Sequence, residues 1–204
     1  SVYPPAKVRL PPYIVDTPRV RSDFSKYLAE ITYFDSQVGT IVGLLAKHGL
    51  SDNTLVMVVS EQGNAFPFAK WTCYDHGLQS AMVVRWPGRV KAGAESDAIF
   101  STLDFMPTFA ALAGFKVPGD RVIDGVDQTD LLLGKNAKGA RETFVFRNNG
   151  IRKGKWKYLK AKHNVYGYAR DTTRKEVEEL YDLEADLGET KNLAPQHPKI
   201  VAEL

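Results

Sequence analysis

From Pro18 onward, apolar residues recur at steps of three and four: Val20, Phe24, Tyr27, Leu28, Ile31, Phe34, Val38, Ile41, Val42 and Leu45. That spacing holds one helix face for about eight turns. Thr17 suits the N-cap, Pro18 the first helical position, and Lys47, His48 and Gly49 the C-terminal stop, so a helix is expected from Pro18 to His48. The run from Thr54 to Ser60 is short, apolar and rich in β-branched residues, the pattern of a strand buried on both faces of a parallel sheet. Ala81 to Trp86 is a second such run, closed by Pro87 and Gly88. A helix feeding directly into a strand of this kind predicts α/β layering.

Asp104 suits the N-cap of a helix from Phe105 to Ala113, which places Pro107 in the first turn and Gly114 at the stop. Leu131 to Leu133 predicts a single helical turn. After Ala140 the pattern changes to short strand-like pieces, Thr143 to Phe146, Lys155 to Leu159 and Glu179 to Leu183, with turns at Asn148-Asn149-Gly150 and Lys153-Gly154. These predict a small antiparallel sheet, and Pro198 to Leu204 begins a C-terminal helix. The expected division is a core layer over 1–140 and a subdomain over 141–204. Residues 1–16 carry four prolines and read as an extended connector.

Composition narrows the function classes. With 27 basic and 24 acidic side chains among 204 residues, the formal charge is only +3, too small and too mixed to make nucleic acid the main partner. Apolar residues at 44% and charged residues at 25% are ordinary for a globular chain, and no stretch approaches the ~18 apolar residues of a membrane span. Cys73 is the only cysteine, so no internal disulfide is available. The start at Ser1, with no initiator methionine and no apolar leader, reads as a cut within a longer protein. A cut sheet predicts an unpaired strand edge and a tendency to self-associate.

The densest chemistry follows the first strand: Ser60-Glu61-Gln62-Gly63, then Lys70-Trp71-Thr72-Cys73-Tyr74-Asp75-His76-Gly77. In open α/β sheets, ligands bind beyond the carboxyl ends of strands, where Glu61 and Gln62 are expected. A carboxylate and an amide carbonyl are hard oxygen donors suited to Ca²⁺ or Mg²⁺ and poorly suited to zinc. Lys70 adds a point charge for an anionic group. The plainer reading of these residues is a solvated turn and a surface lysine.

Several segments, in order and spacing, resemble the C-terminal portion of a formylglycine-dependent sulfatase. They are Asp52-Asn-Thr-Leu-Val, Ser60-Glu-Gln-Gly63, Lys70-Trp-Thr-x-Tyr74, Val84-Arg-Trp-Pro-Gly88, Ser101-Thr-Leu-Asp104 with Pro107-Thr108 and Leu112-Ala-Gly114, Asp124-Gly125, and Glu179-Leu-Tyr-Asp-Leu183 through Gly188-Glu189 to Asn192-Leu193. The match covers nearly the whole chain. It implies an α/β fold, the C-terminal part of an alkaline-phosphatase-like parallel-sheet sandwich, with a small antiparallel subdomain and a C-terminal helix. It also implies hydrolysis of a sulfate ester or sulfamate, of a glycan or small molecule, in a periplasmic or secreted parent enzyme.

By that resemblance Glu61 and Gln62 match the pair, more usually Asp followed by Asn or His, that completes a Ca²⁺ site, and Lys70 matches the lysine that contacts sulfate. In such chemistry a hydrated aldehyde attacks sulfur while Ca²⁺ and lysines neutralise the sulfate oxygens. This chain departs from the family pattern at Gln79, where an arginine is usual, and at Leu187, where proline is usual. It contains no Cys-x-Pro-x-Arg-like motif for the formylglycine, and Cys73 lacks the neighbours that motif needs. The nucleophile and remaining carboxylate ligands are therefore expected upstream, the fragment alone is expected to be inactive, and Cys73 reads as a packing residue.

His76, near the candidate site, and Arg152, in the small sheet, are candidate substrate contacts. Arg147, Asn148 and Lys157 share the second setting, with solvated surface as the plainer reading of all four sheet residues. His48 reads as a helix-dipole partner, and His163 and His197 as structural. Two rivals to a sulfatase remain: a phosphoesterase or phosphotransferase of the same superfamily, which would favour imidazole-rich metal pairs, and a non-catalytic carbohydrate-binding or interaction module.

Overall fold

The computed structural model describes residues 2–11, 14–66, 69–146, 148–162 and 177–204. They form two compact units, one of Ser1–Val59 with Ala81–Pro87, the other of Ser60–Ser80 with Gly88–Leu204.

The first unit is built on helix α1, Pro18–Lys47, whose Thr17 hydroxyl accepts the Val20 N–H at 3.2 Å as the sequence predicts. Gly49 follows its C-cap at φ 67°. The proline-rich lead-in is tied to this helix. Arg21 reaches the carbonyls of Val8 and Pro5 at 3.0 and 3.3 Å and pairs with Asp16, while Ser25 donates to the Tyr3 carbonyl and Tyr3 meets Thr32. Of the helix itself only Phe24 and Ser25 are buried, and Ile31, Phe34, Ile41 and Leu44 stand exposed.

The two runs expected as parallel, doubly buried strands are β1, Val56–Val59, and β2, Met82–Arg85, and they pair with each other antiparallel, Val56 opposite Arg85 and Val59 opposite Met82. β1 is half-buried throughout and Val83 is 64% exposed. Apolar runs predict strands but carry no information on the direction of the partner, which explains the difference.

The second unit holds a sheet of β3 (Thr143–Phe146), β4 (Gly150–Lys153), β5 (Trp156–Leu159) and β6 (Glu179–Asp182), in that order and antiparallel throughout. β4 lies between the two turns that the sequence marks, in a stretch whose arginine and lysine conceal it. Leu159, Leu180 and Tyr181 are fully buried, and a core of Cys73, Tyr74, Phe146, Leu159, Tyr181 and Leu183 joins the loop after residue 60 to this sheet.

The same unit contains α2 (Asp75–Leu78), α3 (Phe105–Leu112), α4 (Thr129–Leu132) and α5 (Pro198–Glu203). Asp104 is not the side-chain cap of α3 that the sequence predicts. It closes a reciprocal capping box with Ser101 around a preceding 3₁₀ turn and accepts the Val126 N–H at 2.9 Å. The Arg141 guanidinium grips its carboxylate from two nitrogens. Burial opposes ionisation of Asp104, but Arg141 and the Val126 and Ser101 N–H groups together hold its pKa below the ordinary value. Gln128, also fully buried, donates to the Ile99 carbonyl and accepts the Ala140 N–H at 2.8 Å.

Candidate functional site

The loop following β1 doubles back on itself because two glycines let its backbones touch. A Cβ on Gly63, which has φ 47°, would stand 2.3 Å from the His76 carbonyl oxygen, and one on Gly77 would stand 2.4 Å from the Ala69 carbonyl. The Lys70 N–H closes the turn on the Asn64 carbonyl at 2.9 Å. These constraints bring Glu61, Gln62 and Lys70 together.

The Lys70 ammonium donates to Glu61 Oε2 at 2.8 Å, and the Gln62 amide lies 3.4 Å from Glu61 Oε1. Lys70 is 27% exposed and Glu61 67% exposed, so the pair opens to solvent. The hydrogen bond from Lys70, followed by its charge, lowers the Glu61 pKa below the usual carboxylate range and keeps it anionic. Glu61 and the Gln62 amide oxygen fit a hard cation in donor type. Since Ca²⁺ takes roughly 6–8 oxygens, they fit it as a minority of a larger set. No group of three or more His, Cys, Asp or Glu gathers in a metal-binding arrangement among the described residues.

The loop is fastened to the four-stranded sheet by a buried ionic cluster. Lys157 on β5, fully buried, sits 2.6 Å from Asp75 and 2.7 Å from Glu189, and Glu189 also accepts the Asp75 N–H at 2.6 Å. Beside it Tyr74 and Tyr181 both donate to Glu179 Oε2 at 2.9 Å. Burial raises the Glu189 pKa, against the opposing pull of Lys157 and of the Asp75 N–H. Lys157 is thus neither pocket lining nor solvated surface, the two readings that the sequence leaves open. Its position in β5, between Trp156 and Tyr158, gives no local sign of a partner 82 residues away in Asp75.

His76, on α2, is half-buried and contributes its backbone to the contact with Gly63. Arg152, on β4, is half-buried and donates to the Gly154 carbonyl of its own hairpin at 3.1 Å. Asn148 accepts from Lys160, and the His197 ring packs at a tilt against Trp156, their centroids 5.5 Å apart. Cys73 is buried in the core and forms no disulfide, as expected. Arg147 and His163 lie outside the described residues.

Comparison with known proteins gives two family matches: sulfatase over residues 4–115, and N-sulphoglucosamine sulphohydrolase, C-terminal, over residues 63–204. An N-acetylgalactosamine-6-O-sulfatase of Bacteroides thetaiotaomicron is 30% identical across 85% of this chain and 39% of its own length. An ulvan-active sulfatase of Formosa agariphila is 27% identical across 97% of this chain and 39% of its own length. A solved chain concerned with metabolism of multiple glycosaminoglycans by Bacteroides thetaiotaomicron superposes with TM-score 0.73 at 30% identity, covering 84% of this chain and 41% of that one. A second solved chain, in complex with its substrate D-glucosamine-2-N,6-O-disulfate, superposes with TM-score 0.72 at 24% identity, over 94% and 41%, and shows the fold alone. The chain therefore spans about two fifths of the length of these relatives. With matches of this extent, laid over the loop and sheet described above, the chain belongs to the sulfatase family.

Proposed function

We propose that this chain is part of a sulfatase acting on a sulfated carbohydrate, to which it supplies one side of the anion and cation site. The observation that carries this reading is the Lys70–Glu61 pair at 2.8 Å, held on a loop that two glycines and a buried ionic cluster keep in shape. Glu61, kept anionic, and the Gln62 amide oxygen would hold Ca²⁺ together with carboxylates from upstream sequence, and Lys70 would contact the sulfate oxygens. When bound, Ca²⁺ would withdraw charge from the sulfate, and a formylglycine upstream would furnish the nucleophile. Lys70 acts by standing as a fixed positive charge where the sulfate oxygens gain negative charge in the transition state. Its pairing with Glu61 positions the ammonium before substrate arrives. His76 and Arg152 belong to this reading only as candidate substrate contacts.

The relatives' names favour a carbohydrate sulfate as substrate class, in particular an amino sugar bearing a 6-sulfate. The test is turnover by the full-length polypeptide of N-acetylgalactosamine 6-sulfate against the corresponding 6-phosphate. Hydrolysis of the sulfate and neglect of the phosphate support the reading. The reverse preference establishes the phosphoesterase alternative, and inactivity on both with retained sugar binding establishes the binding module. The exposed apolar stripe of α1 supports the further expectation that the isolated chain associates with itself, which light scattering measures.

A further inference from the structure

Both oxygens of the Glu61 carboxylate face nitrogen donors: Oε2 accepts from the Lys70 ammonium at 2.8 Å, and Oε1 lies 3.4 Å from the Gln62 amide nitrogen. The oxygens that suit a hard cation are thus the same ones that hold Lys70. The root of the lysine is fixed, because its N–H is held by the Asn64 carbonyl at 2.9 Å and its nitrogen would stand 3.1 Å from a Cβ on Gly63. Of the two partners Lys70 is the more sheltered and Glu61 the more open, so a solute arriving from water meets the carboxylate first. A Ca²⁺ ion bonded to Oε2 at about 2.3–2.6 Å would stand no farther than about 5.4 Å from the ammonium, which is itself 2.8 Å from that oxygen. That is inside the roughly 8 Å over which physiological salt screens charge. The two positive charges therefore repel strongly when they share Oε2.

We infer that Lys70 and a divalent cation compete for Glu61, so that the site fills in order, the cation first and the anion second. The ammonium serves the carboxylate until the cation takes that oxygen, and the released ammonium then finds its second anion in the sulfate group. For the Gln62 oxygen to join the same cation, the Gln62 amide must turn its nitrogen away from Glu61 Oε1. An exposed ion pair is weak, so the exchange is easily made. The inference rests on the reading of Glu61 as a cation ligand and of Lys70 as the sulfate contact. It adds that the two roles are coupled: by reciprocity, whatever draws Lys70 off Glu61 strengthens cation binding.

The test is calcium titration calorimetry on the full-length polypeptide, with no substrate added. Lys70→Met, which removes the competitor, should tighten calcium binding by roughly two- to fivefold, the scale of an exposed ion pair. Lys70→Arg keeps a cation on the carboxylate and should bind calcium as wild type does. Glu61→Gln should weaken calcium, and in that background Lys70→Met should bring no tightening, because residues that act through one contact are not additive. Where Glu61→Gln binds too little calcium to measure, Glu61→Asp replaces it: the carboxylate is kept but drawn back one methylene from Lys70, and the gain from Lys70→Met should shrink. Calcium affinity that is unchanged or weaker in Lys70→Met, with Glu61→Gln weakened, overturns the competition and leaves the reading of Glu61 as a ligand standing. Equal tightening by Lys70→Met in both backgrounds assigns Lys70 a long-range charge effect and overturns the competition too. Wild-type calcium affinity in Glu61→Gln overturns the underlying reading of Glu61 itself.

Discussion

Lys157 and Asp75 meet at 2.6 Å in the protein interior, although 82 residues separate them in the chain. With Glu189 at 2.7 Å on the same ammonium, this is one cation between two carboxylates, Lys157 and Glu189 buried and Asp75 nearly so. Removing one member of a buried ionic group leaves the others without compensation, which typically costs about 3–5 kcal/mol. Lys157→Met should therefore lower unfolding stability by about that amount, because it leaves two buried carboxylates facing each other. Denaturant titration of the full-length polypeptide checks this, and a loss below about 1 kcal/mol would place the cluster among exposed ion pairs in effect.

Glu189 gives the cluster a distinct pH signature. Its folded pKa is raised above 4.5, chiefly by burial. Below 4.5 the carboxyl is protonated in both folded and unfolded states. As pH rises through 4.5 the unfolded carboxyl ionises first, so the contribution of Glu189 to stability declines until pH has passed the folded pKa. The stability of wild type relative to Glu189→Gln should accordingly fall between pH 4.5 and neutrality. A difference that grows over that range would reverse the assigned shift.

Asp104 titrates with the opposite sign. Its folded pKa lies below 3.8, so its stabilising contribution is present above 3.8 and is lost as pH falls through the folded value. Asp104→Asn should remove that part of the acid sensitivity while destabilising the protein at pH 7, since Arg141 loses its anion. Acid unfolding curves of the two proteins should converge at low pH, and parallel curves would refute the assignment.

Under the proposed function, Lys70→Ala in the full-length polypeptide should reduce turnover by roughly 10² to 10³, the typical loss when one aimed electrostatic donor is removed. Glu61→Ala should weaken Ca²⁺ binding instead, so excess calcium should recover part of its defect and none of the Lys70→Ala defect. Equal rescue of both variants by calcium would merge the two roles assigned here.

Gly63→Ala sets a Cβ 2.3 Å from the backbone oxygen of His76 at φ 47°. Backbone cannot give way as a flexible side chain can, so the loop must open. Calcium affinity should fall together with the thermal midpoint, measurable by titration calorimetry and thermal unfolding. Wild-type affinity in Gly63→Ala would mean that the close approach is dispensable.

The elements carried by local pattern were legible in the chain. α1 begins on Thr17 and Pro18 because capping and proline chemistry act over a few residues, and β3 matches its apolar run residue for residue. The nearness of Lys70 and Gln62 to Glu61 was legible too, while the roles proposed for them rest on oxygen-donor chemistry and family likeness. What was hidden is long-range. The antiparallel partner of β1, the grip of Arg141 on Asp104, and the burial of Lys157 each depend on residues far away in sequence. A lysine or aspartate looks the same in a sequence whether it meets water or a buried counter-ion, and β4 shows no alternation because its polar residues sit in the middle of a sheet.

The Lys157 cluster also orders events in time. The loop carrying Lys70 acquires its fastening only when β5 and the turn at Glu189 are available to receive Asp75. Contacts of such long sequence separation form late, after their loop-closure entropy has been overcome. During synthesis on the ribosome, residues 61–78 therefore emerge well before Lys157 and Glu189 can fasten them. Under the proposed function, a newly made chain should gain its affinity for cation and anion as one of its last acts of maturation, after the segment bearing Glu189 has cleared the exit tunnel.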